Sequence, residues 1–162
     1  LTDNYNPRTG LVSLSQGTYG STSVAALAVA AHEIGHVMQH QEGYIPIKIR
    51  NAILPAASIG STAAPYIVIL GAIMGSYNLA MIGVYLFLAM LIFQIVTLPV
   101  ELNASGRGLE MLESGGYISY DQRGDAKAVL KAAAMTYIVA ALSTLVSFLR
   151  LLMIANNSRR RN

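Results

Sequence analysis

"NAILPAASIGSTAAPYIVILGAIMGSYNLAMIGVYLFLAMLIFQIVTLPV", residues 51 to 100, contains no Asp, Glu, Lys, Arg or His. One membrane crossing takes roughly 20 apolar residues. The run is long enough for two crossings with a short turn between them. "GSYN" at 75–78 is the polar break near its middle, so transmembrane helices are expected at about 53–74 and about 79–99. The first of these contains Pro55 and Pro65, which neighbouring helices can accommodate inside a bilayer. Gly71 and Gly75 form a small-xxx-small pair that permits close helix approach, and the same pair also reads as a loosened helix end.

Downstream, residues 101–114 continue as a helix carrying Leu102, Leu109 and Leu112, and stop at Gly115-Gly116. After the polar loop "YISYDQRGD" a further helix is expected from Ala126, with residues 132–149 free of charge between Lys131 and Arg150. This is a third span, at about 130–152. Of 162 residues, 54% are hydrophobic and 12% charged, against about 25% charged in a typical soluble domain. The expected fold is therefore mostly α, a membrane helical bundle with three transmembrane helices in a single domain over 1–162. The net charge is +3, and Arg159, Arg160 and Arg161 form a basic tail suited to an anionic membrane surface. No basic stripe with interleaved aromatics points to nucleic acid. The absence of cysteine excludes disulfides and thiolate metal sites. The chain opens on leucine, with no charged n-region and short apolar segment of a signal peptide, and is expected to be a fragment or a processed product.

Upstream of the apolar run, residues 1–22 read as a small β element. "LTDNY" and "LVSLS" flank "NPRTG", which supplies turn residues. Residues 23–42 read as a helix, capped by Ser21, Thr22 or Ser23 and ended by Gly43. This helix holds all three histidines of the chain. His32-Glu33-Ile34-Gly35-His36 is an H-E-x-x-H motif. On a helix, positions i and i+4 lie one turn apart on one face, so the two imidazoles can bind one zinc ion. Zinc lowers the pKa of its water toward about 7, and Glu33 is placed to take the proton as general base. This is the equipment of a zinc hydrolase acting on peptide bonds. His40 continues the stripe, but at 1.5 Å rise per residue it lies about 12 Å along the axis from His32. Zinc–nitrogen bonds are about 2 Å long, so one ion cannot be held by all three histidines. His40 is then a contact to a ligand or substrate, or a surface histidine.

The third ligand must be a carboxylate from elsewhere. Asp3, Glu42, Glu101, Glu110, Glu113, Asp121 and Asp125 remain. A chain that crosses after Arg50 and recrosses after 75–78 re-emerges on the zinc-helix side at Glu101, the first charge after the neutral run, with Pro99 placed to bend the helix there. Glu101 reads either as a ligand or as a charge that marks the membrane boundary.

With these residues in view, "LTDNYNPRTG", "VAAHEIGHVMQHQEGYIPIKIRNAILP", "FQIVTLPVELNAS" and "AAAMTYIVAAL" resemble the YugP-like family of bacterial membrane zinc metallopeptidases, in family order across nearly the whole chain. The resemblance implies one zinc ion held by His32, His36 and Glu101, with Glu33 as catalytic base. "Glu101-Leu102-Asn103-Ala104-Ser105" is also similar to the E-x-x-A-D segment of HtpX-type membrane proteases, with Ser105 where those have aspartate. Ser105, His40 and Arg107 are the candidate contacts to the ligands or the substrate. Family members begin with an N-terminal transmembrane helix and a short soluble segment, so this chain is expected to correspond to a C-terminal portion.

The leading reading is a multi-pass endopeptidase of the bacterial cell membrane with a peptide or protein substrate, taken as an extended strand beside "LVSLS". A homo-oligomer is compatible with it. The positive-inside rule favours a cytoplasmic zinc site, given Arg8, Lys48, Arg50, Arg107, Arg123, Lys127 and Lys131 on that side. Two other readings compete. A site-two-type intramembrane protease would carry an Asp-Gly ligand motif, and the sequence has none. A non-catalytic metal-binding sensor or scaffold would keep the histidines but has no need of Glu33.

Overall fold

The computed structural model describes residues 3–159. Arg160 and Arg161 of the basic tail lie outside the described residues. The described residues form two short strands, β1 (Asn4–Asn6) and β2 (Leu11–Ser13), and five helices. These are α1 (Gln16–Tyr19), α2 (Val24–Gln41), α3 (Ile45–Ile73), α4 (Tyr77–Ser114) and α5 (Arg123–Arg159). It comprises two compact units. One takes the chain up to Ile47 together with Leu98–Thr136. The other takes Lys48–Thr97 and the chain from Tyr137 onward.

The first unit contains the β hairpin, α1, α2 and the parts of α4 and α5 that fall in Leu98–Thr136. β1 and β2 pair antiparallel with Tyr5 opposite Val12. The expected turn "NPRTG" closes them, with the Gly10 amide donating to the Asn6 carbonyl at 2.9 Å. α1 falls within the segment read as β. It is a single turn capped by Ser15, whose hydroxyl accepts from the Thr18 amide, while Asp3 accepts from the Ser15 amide at 2.7 Å. Ser23 is the N-cap of α2, accepting from the Ala26 amide. The helix ends in a tight reversal at Gly43, whose φ of 68° would strain a residue with a side chain. There the Tyr44 amide reaches back to the Gln39 carbonyl at 2.9 Å, satisfying a carbonyl that the helix leaves free. Ala28, Ala31, Leu112, Ile118, Ala126 and Leu130 form the core of this unit.

In the second unit Ala64, Val68, Ala80, Val84, Phe87, Leu151 and Ala155 form the core. Gly71 packs against the backbone of Ala80 with no room for a Cβ, whereas Gly75 lies in the turn at φ 66°. The small-residue pair therefore divides its work: one glycine admits a neighbouring helix, the other ends α3. Helix α3 begins at Ile45, earlier than the expected span, because Pro46 is already set for a first helical turn, and it runs on through Pro55 and Pro65. Ser76 receives the Leu79 amide at 3.4 Å and starts α4, so Tyr77 and Asn78 are helical rather than turn. Pro99 lies inside α4, which runs unbroken from apolar sequence into residues 101–114.

Among the described residues three helices, α3, α4 and α5, are long and apolar enough to cross a membrane. Their outward faces remain apolar: Val139, Leu142, Val146, Leu149 and Met153 recur at helical spacing along α5 and are exposed. Such a stripe is costly in water, by about 25 cal/mol for each Å², and costs nothing against lipid tails. This is a membrane protein, mostly helical, with a small N-terminal sheet.

Candidate metal centre

Helix α2 projects His32 and His36 from one face, one turn apart. Their rings meet edge to face, with centroids 4.7 Å apart. Helix α4 brings Glu101 against them within the first unit. Glu101 Oε2 lies 3.2 Å from His32 Nε2 and 3.5 Å from His36 Nε2, and the side chain is 2% exposed. Two glycines permit this approach. A Cβ at Gly35 of α2 would strike the backbone of Ala104 in α4, and one at Gly108 of α4 would strike Ala31 in α2.

The donor geometry suits zinc. Four ligands at about 2.0–2.1 Å in a tetrahedron stand about 3.3 Å from one another, close to the two separations observed. One ligand atom from each of His32, His36 and Glu101 falls within 4.8 Å of the others. The remaining ring nitrogens are engaged on the far side, as zinc-ligating imidazoles require. His32 Nδ1 is 3.0 Å from Ser105 Oγ, and His36 Nδ1 is 3.0 Å from Gln39 Oε1. Both Nε2 atoms are thereby turned toward the carboxylate. A carboxylate with imidazole lone pairs facing it needs a cation between them. Without a metal, a proton plays that part. Burial lowers the pKa of His36, but hydrogen bonding to and the charge of Glu101, with the Gln39 contact, more than offset it and hold the imidazole above its ordinary value.

Glu33 follows His32 on α2 and is buried. Burial raises its carboxyl above the ordinary range, opposed by the charges of His32 and His36, and the Tyr5 amide of β1 donates a hydrogen bond to it. The strand bonded to Glu33 is thus β1. Tyr5 also packs its ring edgewise on His40, with centroids 6.0 Å apart. His40 belongs to that contact and not to the ligand cluster. Arg107 pairs with Glu42 at 2.7 Å and lies over the Tyr44 ring. Its Nε donates to Asn103 Oδ1 at 2.8 Å. Among the other acids, Asp3 bonds Ser15, and Glu113 pairs with Arg123.

Sequence reasoning missed Gln39 and Asn103. Gln39 is wholly buried, and its spacing from His32 and His36, seven and three residues, puts it on the ligand stripe. That register was the available signal.

Residues 1–156 match the family described as "putative neutral zinc metallopeptidase". The chain is 43% identical over 162 residues to the "putative membrane protease YugP" of Bacillus subtilis (strain 168), a match that takes in all of this chain and 72% of that protein. No solved structure matches the chain.

Proposed function

This chain belongs to the putative neutral zinc metallopeptidase family, and on that footing we propose that it is a membrane zinc endopeptidase in which His32, His36 and Glu101 hold the ion and Glu33 is the general base. The observation that carries the reading is the convergence of two imidazole Nε2 atoms on the buried Glu101 carboxylate, with Glu33 beside them on the same helix. Zinc supplies Lewis acidity, toward water and toward a peptide carbonyl.

The chain's own groups do the rest. Glu101 contributes the negative charge of the ligand set and ties α4 to α2. Ser105 and Gln39 orient the two imidazoles. Glu33 takes the proton of the attacking water at its carboxylate and delivers it to the departing amine nitrogen, so it ends the cycle as it began. The Tyr5 amide holds the carboxylate in place while leaving it lone pairs for the proton.

Glu33→Gln tests the assignment. The amide keeps the size and loses the proton acceptor. Zinc content should survive, and peptidase activity on an unfolded protein substrate should fall by a factor of about 10² or more. Loss of the metal along with activity would mean that Glu33 is a ligand and not the base. Zinc binding by the unaltered protein with no peptide hydrolysis at all would turn the reading toward a metal-binding sensor.

A further inference from the structure

Gln39 is a polar side chain with 0% exposure, and all three of its hydrogen-bonding contacts are to protein. Its Nε2 donates to the Val100 carbonyl at 2.7 Å and to Asn103 Oδ1 at 3.0 Å. Its Oε1 faces His36 Nδ1 at 3.0 Å. An amide can ordinarily be turned over, exchanging donor for acceptor. Here it cannot. The Val100 carbonyl only accepts, so the group facing it must be the NH2. Asn103 could in principle present its own NH2 to Gln39, but its other neighbour is Arg107 Nε, at 2.8 Å, and a guanidinium only donates. Asn103 must therefore turn its oxygen to Arg107, and the same oxygen meets Gln39. Both ends of the chain of bonds are groups without a choice. The polarity in between follows, and it ends with an oxygen on His36 Nδ1.

We propose that Gln39 is the positioning residue that commits His36 to the tautomer with hydrogen on Nδ1 and the lone pair on Nε2, and that Asn103, held by Arg107, fixes the orientation of the Gln39 amide. The inference rests on the zinc-site reading above. It gives Arg107 a definite part: its pairing with Glu42 and its place over Tyr44 anchor the outer end of the relay. The two histidines are treated unequally. His32 Nδ1 faces a hydroxyl, Ser105 Oγ, which can rotate to donate or accept and so dictates nothing. His36 is locked.

The test uses the whole chain in detergent or nanodiscs, with zinc alone as the probe. Gln39→Met keeps the volume and removes the acceptor. Zinc affinity, measured by competition with a chromogenic chelator, should fall about 10- to 100-fold, the usual effect of losing a ligand's hydrogen-bond partner. In metal-free protein labelled with ¹⁵N-histidine, the neutral His36 resonances should change from a single Nδ1–H tautomer to a mixture, a change that loosened packing alone does not produce. Asn103→Leu removes the group that orients the amide without touching the site and should weaken zinc in the same direction. Asn103→Asp keeps an oxygen for both Gln39 and Arg107 and should bind zinc like the unaltered protein. These two variants decide the matter if Gln39→Met does not fold. Unchanged tautomer and unchanged affinity in Gln39→Met or Asn103→Leu would overturn the inference. His36→Ala serves as the reference: if it binds zinc as tightly as the unaltered protein, it is the ligand assignment that fails, and not the role of Gln39.

Discussion

Gly108→Ala should damage the metal centre from outside it. The glycine sits where α4 crosses α2, and a Cβ there would lie 2.6 Å from the Ala31 carbonyl oxygen, 2.7 Å from the Ala31 carbonyl carbon and 3.0 Å from the His32 amide nitrogen. All three are backbone atoms, so no rotamer change relieves the contact. Bringing the closest one out to an ordinary 3.4 Å opens the two helices by about 0.8 Å at this point. Zinc–ligand distances tolerate about 0.2 Å. Glu101 lies two turns earlier on α4, and His32 directly follows the struck residue, so the ligand set is pulled apart at its seam. Overpacking of this kind costs about 1–3 kcal/mol, while alanine returns up to about 1 kcal/mol of helix propensity. Gly106→Ala isolates the second contribution, since a Cβ there meets nothing within 4 Å. The expected result is a loss of zinc affinity of tenfold or more in Gly108→Ala and none in Gly106→Ala, read by chelator competition, with thermal melts showing the same order. Equal zinc affinity in both variants would refute the idea that this crossing sets the ligand geometry.

Two other outcomes follow from the same reading. Glu101→Gln should weaken zinc binding, while Glu110→Gln, further along α4, should leave it nearly unchanged; zinc stoichiometry after dialysis against a weak chelator separates them, and retention in the first with loss in the second would move the ligand downstream. If α3 and α4 each cross the bilayer once, single cysteines at Ser76 and Ser119 should be labelled from opposite faces, with Ser119 on the cytoplasmic face; labelling of both from one face would refute the crossing pattern.

Much of this architecture can be read from the sequence because the relevant signals are long or periodic. A fifty-residue window without charge admits few folds, since any backbone in lipid must satisfy its own hydrogen bonds. The i, i+4 spacing of His32 and His36 needs only a helix to become a site, and Ser23 and Gly43 delimit that helix by chemistry that acts locally. Other features lack such signals. The start of α3 depends on Pro46, which serves as a helix opener or as a breaker depending on what precedes it. The single turn α1 is held by Ser15 and Asp3 across the hairpin, a contact that sequence spacing does not announce. The hydrogen bond from Tyr5 to Glu33 comes from a backbone amide, which every residue except proline carries. Gln39 differs from Gln41 by position alone, and its importance lies in partners on α4 sixty residues away.

Glu101 shows how structure can favour one of two readings that sequence leaves open. A carboxylate that merely marks the end of a membrane span has every reason to face water or headgroups, where its hydration is retained. Glu101 does the opposite: it is almost wholly buried and directed at two imidazole nitrogens. Taking an ionised carboxylate out of water costs several kcal/mol unless it is paired and hydrogen-bonded. The surroundings are arranged to make that pairing specific. His36 has its other nitrogen occupied by an oxygen that cannot be exchanged for a donor, so toward Glu101 it offers either a lone pair or, when charged, a proton. Two acceptors in that relation are tolerable only with a cation between them. The helix crossing at Gly35 and Gly108, the polar relay behind His36 and the burial of Glu101 all favour the same small volume for a positive charge. That volume is where a boundary marker would have no purpose and a zinc ligand has one.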